Sequence, residues 1–310
     1  MKISKNTKLK GAGLLVAAIV SCASLLSGRD AGADGTASIQ GTQAVYGNIA
    51  PDQIEHLSTG DRIKSAAASG SMMAIWETLE HGERVECIDC IPSVEPLIYD
   101  PTPRTREIAA WWLRRRLFGV WGPGQVYERT LQTLANDPNS QRRAYAAEAL
   151  GEFLAAPGID AVSNAITKDS DPNVRAAAAK ALGRLNSDGN GALSTAMNDA
   201  DGKVKLAALR SAGRINKFSD VAQVTKLITD GDPGVRRGAA ELAGTLRNKD
   251  TVAGLINIAK NDPDADVRNA ACHALGALHD ASARSVLEDV SRNDANGLVR
   301  DQAAIALRRL

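Results

Sequence analysis

The chain is built on a phrase that returns. Asp171-Pro-Asn-Val-Arg-Ala-Ala-Ala-Ala-Lys-Ala-Leu-Gly-Arg-Leu185 recurs at Asp232–Leu246 and Asp201–Ile215, shortened at Asp266–Leu278, weaker at Asp137–Phe153, and again at Asn296–Leu310. Aligned on Gly151, Gly183, Gly213, Gly244, Gly276 and Arg308, the spacings are 32, 30, 31, 32 and 32 residues. A period in this range means stacked units, none of which buries its own apolar face, so neighbours supply the core. The 310 residues therefore predict an all-α solenoid rather than two globular domains. Aromatics make up only 4% of the chain and alanine fills the phrase, which suits helices packed through small side chains.

Each unit reads as two helices. The first halves are Val126–Ala135, Ile159–Thr167, Gly191–Met197, Val221–Ile228, Thr251–Ala259 and Ala281–Val290; the phrase supplies the second. Aspartate before proline at Asp137, Asp171, Asp232 and Asp262 predicts an N-cap with proline set for the first turn, and Asn186 and Asn216 predict C-caps. Five places before the glycine stand Ala146, Ala178, Ala208, Ala239, Ala271 and Ala303, with Ala109 in a degenerate first copy, Asp100–Leu117. Only a small side chain lets neighbouring helices approach along that line, and the glycine column serves the same end one turn on. The expectation is about seven helix pairs over 92–310, with an inserted turn at Trp121-Gly-Pro-Gly124. Ahead of them, Ile63, Ala67, Met72, Ile75, Trp76 and Leu79 fit one apolar face of a helical cap within 60–91.

The opening segment predicts export. Lys2, Lys5, Lys8 and Lys10 precede the apolar run Gly11–Leu26, and Ala31-Gly32-Ala33 follows, the pattern of a signal peptide over 1–33. Residues 34–59 read as a flexible linker. The full chain has a formal charge of +1; without residues 1–33 it carries −3, which gives no support to nucleic-acid binding. Ile19-Val20-Ser21-Cys22 also matches a lipidation box, so Cys22 is either a lipid-anchor site, the one expected membrane contact, or a small residue of the discarded leader. The expected location is the periplasm or envelope of a bacterium.

With Asp-x-x-Val-Arg followed by Ala-Ala-x-Ala-Leu-Gly, the chain resembles HEAT-repeat proteins, most nearly the short repeats of phycobilisome lyases, over residues 92–310. The resemblance implies a right-handed α-solenoid whose second helices line the concave face. It also implies an inter-repeat Asp–Arg ladder, mapping onto Arg143, Arg175, Arg236, Arg268 and Arg300, with Lys205 as the substitute. Fold of this kind does not name function. Deoxyhypusine hydroxylase, an iron enzyme with such repeats, relies on His-Glu pairs, and none of His56, His81, His273 and His279 precedes a glutamate. Lyase activity on phycobilins belongs to the cytosol, which an exported chain contradicts.

Three places carry candidate function. Positions seven and three before the glycine and one after it share a helix face, and in the central units they bring together Lys180, Arg184, Arg210, Arg214 and Arg237. This basic patch reads either as a receptor for an acidic protein segment, with charge steering the encounter, or as a solvated face. In the first copy the same face reads Glu107, Trp111 and Arg115, and Trp111-Trp112 is followed by Arg114, Arg115, Arg116, Phe118 and Trp121; Trp and Arg are types favoured in interfaces, and the tryptophans read alternatively as a plug between cap and first repeat. Cys87-Ile-Asp-Cys90 reads as a disulfide in an exported chain; a metal-linked pair or a redox catalyst are the other readings. Cys272 replaces a small core residue, and His273 beside it falls singly on the concave face. No Ser/His/Asp set, phosphate loop or carboxylate pair stands out, so the sequence predicts a non-catalytic scaffold without cofactor or metal; the alternative is a redox or metal-linked accessory using Cys87 and Cys90.

Overall fold

The phrase folds through its turn before its helix. In the computed structural model, which describes Gln43–Ala44 and residues 59–83, 85–117, 124–185, 190–215 and 218–310, the aspartate column fourteen places before the glycine starts each repeat's second half. The Oδ1 of Asp137, Asp169, Asp199, Asp230, Asp262 and Asp294 accepts the N–H two residues on, at 2.8–3.0 Å. That next residue (Asn139, Asp171, Asp201, Asp232, Asp264 or Asn296) then offers its own side-chain oxygen to the first free N–H groups of the helix. Such a relay satisfies donors that a helix start leaves orphaned.

Two of the expected caps are thereby corrected. Asp171 and Asp232 cap their helices, but Asp137 and Asp262 do not; Asn139 and Asp264 take that place. In those two units the proline lies ahead of the cap, so the Asp-Pro pair marks the turn instead of the helix start. The leader 1–33 with Cys22, the linker 34–59 apart from Gln43, Ala44 and Thr59, and Phe118, Trp121, Asn186 and Asn216 lie outside the described residues.

Sixteen α-helices follow one another among the described residues. Gly60–Ser69 (α1) and Met72–His81 (α2) come first, capped by Thr59 and Ser71. The single apolar face expected from Ile63 to Leu79 is broken between them, because Gly70 takes φ 67°, a left-handed conformation that ends α1. Gln43–Ala44 (β1) pairs antiparallel with Val85–Glu86 (β2), Gln43 opposite Glu86. Ile91–Val94 (α3) and Pro103–Leu117 (α4) lead into six helix pairs. These are Gln125–Asn136 (α5) with Ser140–Phe153 (α6), Gly158–Lys168 (α7) with Pro172–Leu185 (α8), and Asn190–Met197 (α9) with Gly202–Ala212 (α10). Then come Val221–Leu227 (α11) with Pro233–Leu246 (α12), Val252–Asn261 (α13) with Ala265–Leu278 (α14), and Arg284–Asn293 (α15) with Gly297–Leu307 (α16).

Stacking runs chiefly through the second helices. All seven alanines of the recurrent column are fully buried. The glycines beside them admit the next helix: a Cβ on Gly151, Gly183 or Gly276 would stand 2.8, 2.6 or 2.9 Å from Ala181, Ser211 or Ala306. Gly213 is the exception, its nearest neighbour being the flexible end of Leu242 at 3.6 Å. The first helices, α5, α7, α9, α11, α13 and α15, pack against one another less closely than the second helices do.

The Asp–Arg ladder connects the turns. Arg143, Arg175, Arg236 and Arg268 each give Nε and Nη2 to the carboxylate of Asp169, Asp199, Asp262 and Asp294 in the following repeat, at 2.7–2.9 Å. The Nη1 of each donates to two carbonyls of its own turn. Lys205 reaches Asp230 through a single Nζ contact of 2.6 Å. Arg300 keeps the bonds to its own turn. Arg106 likewise holds the Asp100 and Pro101 carbonyls, but its carboxylate partner is Glu148.

Candidate functional site

The structure divides the five cationic residues of the expected patch. Lys180 on α8, and Arg210 and Arg214 on and just beyond α10, are exposed and make no ion pair among the described residues. Arg184 pairs with Glu152, and Arg237 reaches Glu241 at 3.7 Å and Asp266 at 3.5 Å. The unpaired positive charge is thus three residues on two adjacent helices.

Two acidic neighbours, Glu148 and Glu152, escaped the sequence reading. The same columns in α4 and α6 carry Glu107, Glu148 and Glu152, which border a groove of 250 Å³ shared with Arg106, Lys180 and Arg184. Burial pushes the Glu152 carboxyl up and Glu107 adds to the rise, while Arg184 pulls the other way. Applying the face rule to Gly151 as well as to the central glycines finds Glu148 and Glu152, and Glu107 holds the same face in the degenerate first copy. Beyond the basic helices a second groove, of 440 Å³, is lined by Arg237, Glu241, Asp266, Asn269, Ala270 and His273. His273 is exposed there, as its column requires.

The tryptophan–arginine run divides in the same way. Trp112 is fully buried; its Nε1 donates to the Gly82 carbonyl at 3.1 Å, and the Arg116 guanidinium stacks on its ring at 3.5 Å. Arg116, 4% exposed, donates to the carbonyls of Trp112, Gly82, Glu83 and Val85. It secures the turn between α2 and β2, and Arg115 pairs with Glu83. Trp111 is half-buried against the core. Sequence reasoning missed Arg116 because its partners lie some thirty residues upstream.

Cys87 and Cys90 form a disulfide. It sits at the end of β2, buried, with Gly60 of α1 packed on it: a Cβ there would meet the Cys87 Sγ at 3.0 Å. A catalytic pair needs a partially exposed sulfur, and Cys87 and Cys90 are both buried. Cys272 is buried as expected, and burial raises its thiol pKa to about 12. Among the described residues no group of three or more His, Cys, Asp or Glu side chains is placed to hold a metal ion, and no helix is long and apolar enough to cross a membrane.

A family profile described as HEAT repeats matches residues 127–195 and 221–308, together half of the chain. No curated protein matches in sequence. Among solved structures, YibA of Escherichia coli is 19% identical with a TM-score of 0.54, over 81% of this chain and 92% of that one. A chain in a complex of Kap95p with RanGDP gives 14% identity and a TM-score of 0.57, over 80% of this chain and 38% of that one. The CpcE–CpcF phycocyanin lyase of Nostoc sp. PCC7120 gives 19% and 0.41, over 70% and 86%. At these identities the likeness is one of fold.

Proposed function

The chain belongs to the HEAT-repeat family, and we propose that it is a non-catalytic scaffold exported to the cell envelope, whose inner face captures an acidic segment of a partner protein. HEAT repeats serve as protein-interaction scaffolds, and the stack offers such a surface. The observation that carries the finer reading is the trio Lys180, Arg210 and Arg214, exposed on neighbouring helices without carboxylate partners among the described residues. Unpaired like charges on a rigid support attract a complementary segment and raise its association rate. Reversing Arg210 and Arg214 to glutamate should abolish capture of an acidic partner from an envelope fraction; retained capture rejects the reading. Export rests on the leader pattern, and the mass of the protein recovered from an envelope fraction tests it, a lipid on Cys22 giving the anchored form.

A redox accessory is the second reading, and the disulfide is its one supporting feature. The burial of both cysteines speaks against it. A Cys90→Ser variant that traps a mixed disulfide with a second protein would favour it over the scaffold.

A further inference from the structure

The inner face does not end at the basic helices. On α16 the column that carries Lys180 and Arg210 upstream is occupied by Ile305, and Leu298, seven residues earlier, lies about two turns away on the same side of that helix. Leu298 is 73% exposed and Ile305 36%. Among the described residues, five large apolar side chains are exposed, and these two share one helix face. The position of Leu298 is polar or glycine in the other regular units: Gln141, Asn173, Lys203, Gly234 and Asp266. The adjoining α14 reaches the same spot, since Asn269 Nδ2 donates to the Leu298 carbonyl at 3.1 Å. Between the cations and these aliphatics runs the groove of Arg237, Glu241, Asp266 and His273, where Arg237 is occupied by the two carboxylates.

Resting on the scaffold reading above, we infer that the partner segment is bipartite: an acidic run for Lys180, Arg210 and Arg214, and an aliphatic anchor for Leu298 and Ile305. Charge complementarity argues for the first half, and the continuation of the Lys180/Arg210 column onto Ile305 of α16 argues for the second. The spacing follows from geometry. From α10 to α16 are three helix steps of roughly 8–10 Å each. An extended chain advances about 3.3 Å per residue, so the two halves stand about eight residues apart. Burying one leucine side chain in water-free contact gains roughly ten-fold or more in affinity.

The test uses fluorescence anisotropy on the full chain with three probe peptides. One is hexaglutamate, one is hexaglutamate joined to a Leu-Leu pair by eight Gly/Ser residues, and one has the same parts joined by two. Probes are made in both orders. The eight-residue probe should bind about ten-fold tighter than hexaglutamate, and the two-residue probe should not. Leu298→Ser with Ile305→Ser should erase that gain and leave hexaglutamate binding unchanged; both positions are exposed, and circular dichroism checks that the variant stays folded. Arg210→Glu with Arg214→Glu should remove binding of every probe. A gain that ignores the Leu298/Ile305 change or the spacer length overturns the anchor while leaving the acidic-segment reading standing. No binding of hexaglutamate overturns the acidic-segment reading itself. Phosphatidylglycerol vesicles that bind through Leu298 and Ile305, with no peptide gain, would place a lipid surface there and overturn the inference.

Discussion

Removing one carboxylate from the ladder measures what holds the stack together. Asp262 is the most enclosed of the rungs, its side chain 4% exposed against 12% for its partner Arg236. It accepts Nε and Nη2 of Arg236 at 2.7 and 2.9 Å and the Asp264 N–H at 3.0 Å. Asp262→Ala therefore strands a buried guanidinium and frees a turn N–H. Breaking a buried pair by deleting one partner costs roughly 3–5 kcal/mol. Because Arg236 retains Nη1 bonds to the Asp230 and Gly231 carbonyls, the low end applies, about 3 kcal/mol. Glu288→Ala, which breaks the exposed 3.9 Å pair with Arg292, should cost under about 1 kcal/mol. Asp262→Ala with Arg236→Met should recover part of the loss, since no buried charge is then left alone. Urea unfolding gives the magnitudes. Hydrogen exchange should show the added opening concentrated in α12 to α14, because each repeat of a solenoid contacts only its neighbours. Equal costs for Asp262→Ala and Glu288→Ala, or a double variant no better than the single, would refute the ladder as a stabilising device.

Three further outcomes follow from the geometry. Gly183→Ala should destabilise by about 1–3 kcal/mol by overpacking, because its Cβ would stand 2.6 Å from Ser211, whereas Gly213→Ala, whose Cβ would make an ordinary contact with Leu242 at 3.6 Å, should be neutral or slightly stabilising; thermal melts showing the two alike would contradict the packing. Asp169, Asp199, Asp230 and Asp262 are pushed up by burial but held net below the usual range by the Arg or Lys hydrogen bond and a backbone N–H; for Asp294 the Arg268 bond leads. Their folded pKa values lie below the unfolded ones, so this stability is fully present above about pH 4 and lost as pH falls through the folded values; a melting temperature unchanged down to pH 3 would count against it. Under native conditions at pH 8 the Cys272 thiol should resist iodoacetamide, and the buried Cys87–Cys90 disulfide should resist dithiothreitol until the protein is unfolded; labelling or reduction at the rate of a small thiol or disulfide, read by mass spectrometry, would show either group to be accessible.

The stacking columns were legible because they are local and repeated: alanine at one position and glycine five later state a close approach without any coordinates. The ladder arginines were legible by resemblance, but their acceptors were not. Asp262 looked like a helix cap because proline follows it, and the acceptor column is visible only when the count is carried fourteen residues back from each glycine. Arg116 was illegible for a different reason: it answers to carbonyls of a turn thirty residues away, and nothing in its own neighbourhood states the debt. Spacing alone put the five cations in shared helix columns, but spacing says nothing about pairing, and Glu152 and Asp266 change what Arg184 and Arg237 offer.

One joint of the ladder differs from the rest. Between α10 and α12 the arginine is replaced by Lys205, which holds Asp230 by one contact and donates to no carbonyl of its own turn, and at the same level Gly213 meets only the tip of Leu242. Both the ionic contact and the close approach are weaker there than at the arginine joints, so local opening is expected to be easiest between α10 and α12, with faster amide exchange there as the check. Arg210 and Arg214 lie on one side of that joint, Arg237 and the path to Leu298 on the other. A softer joint at that place would let the distance between the charged and apolar parts of the face change more readily than at the joints held by Arg175, Arg236 and Arg268.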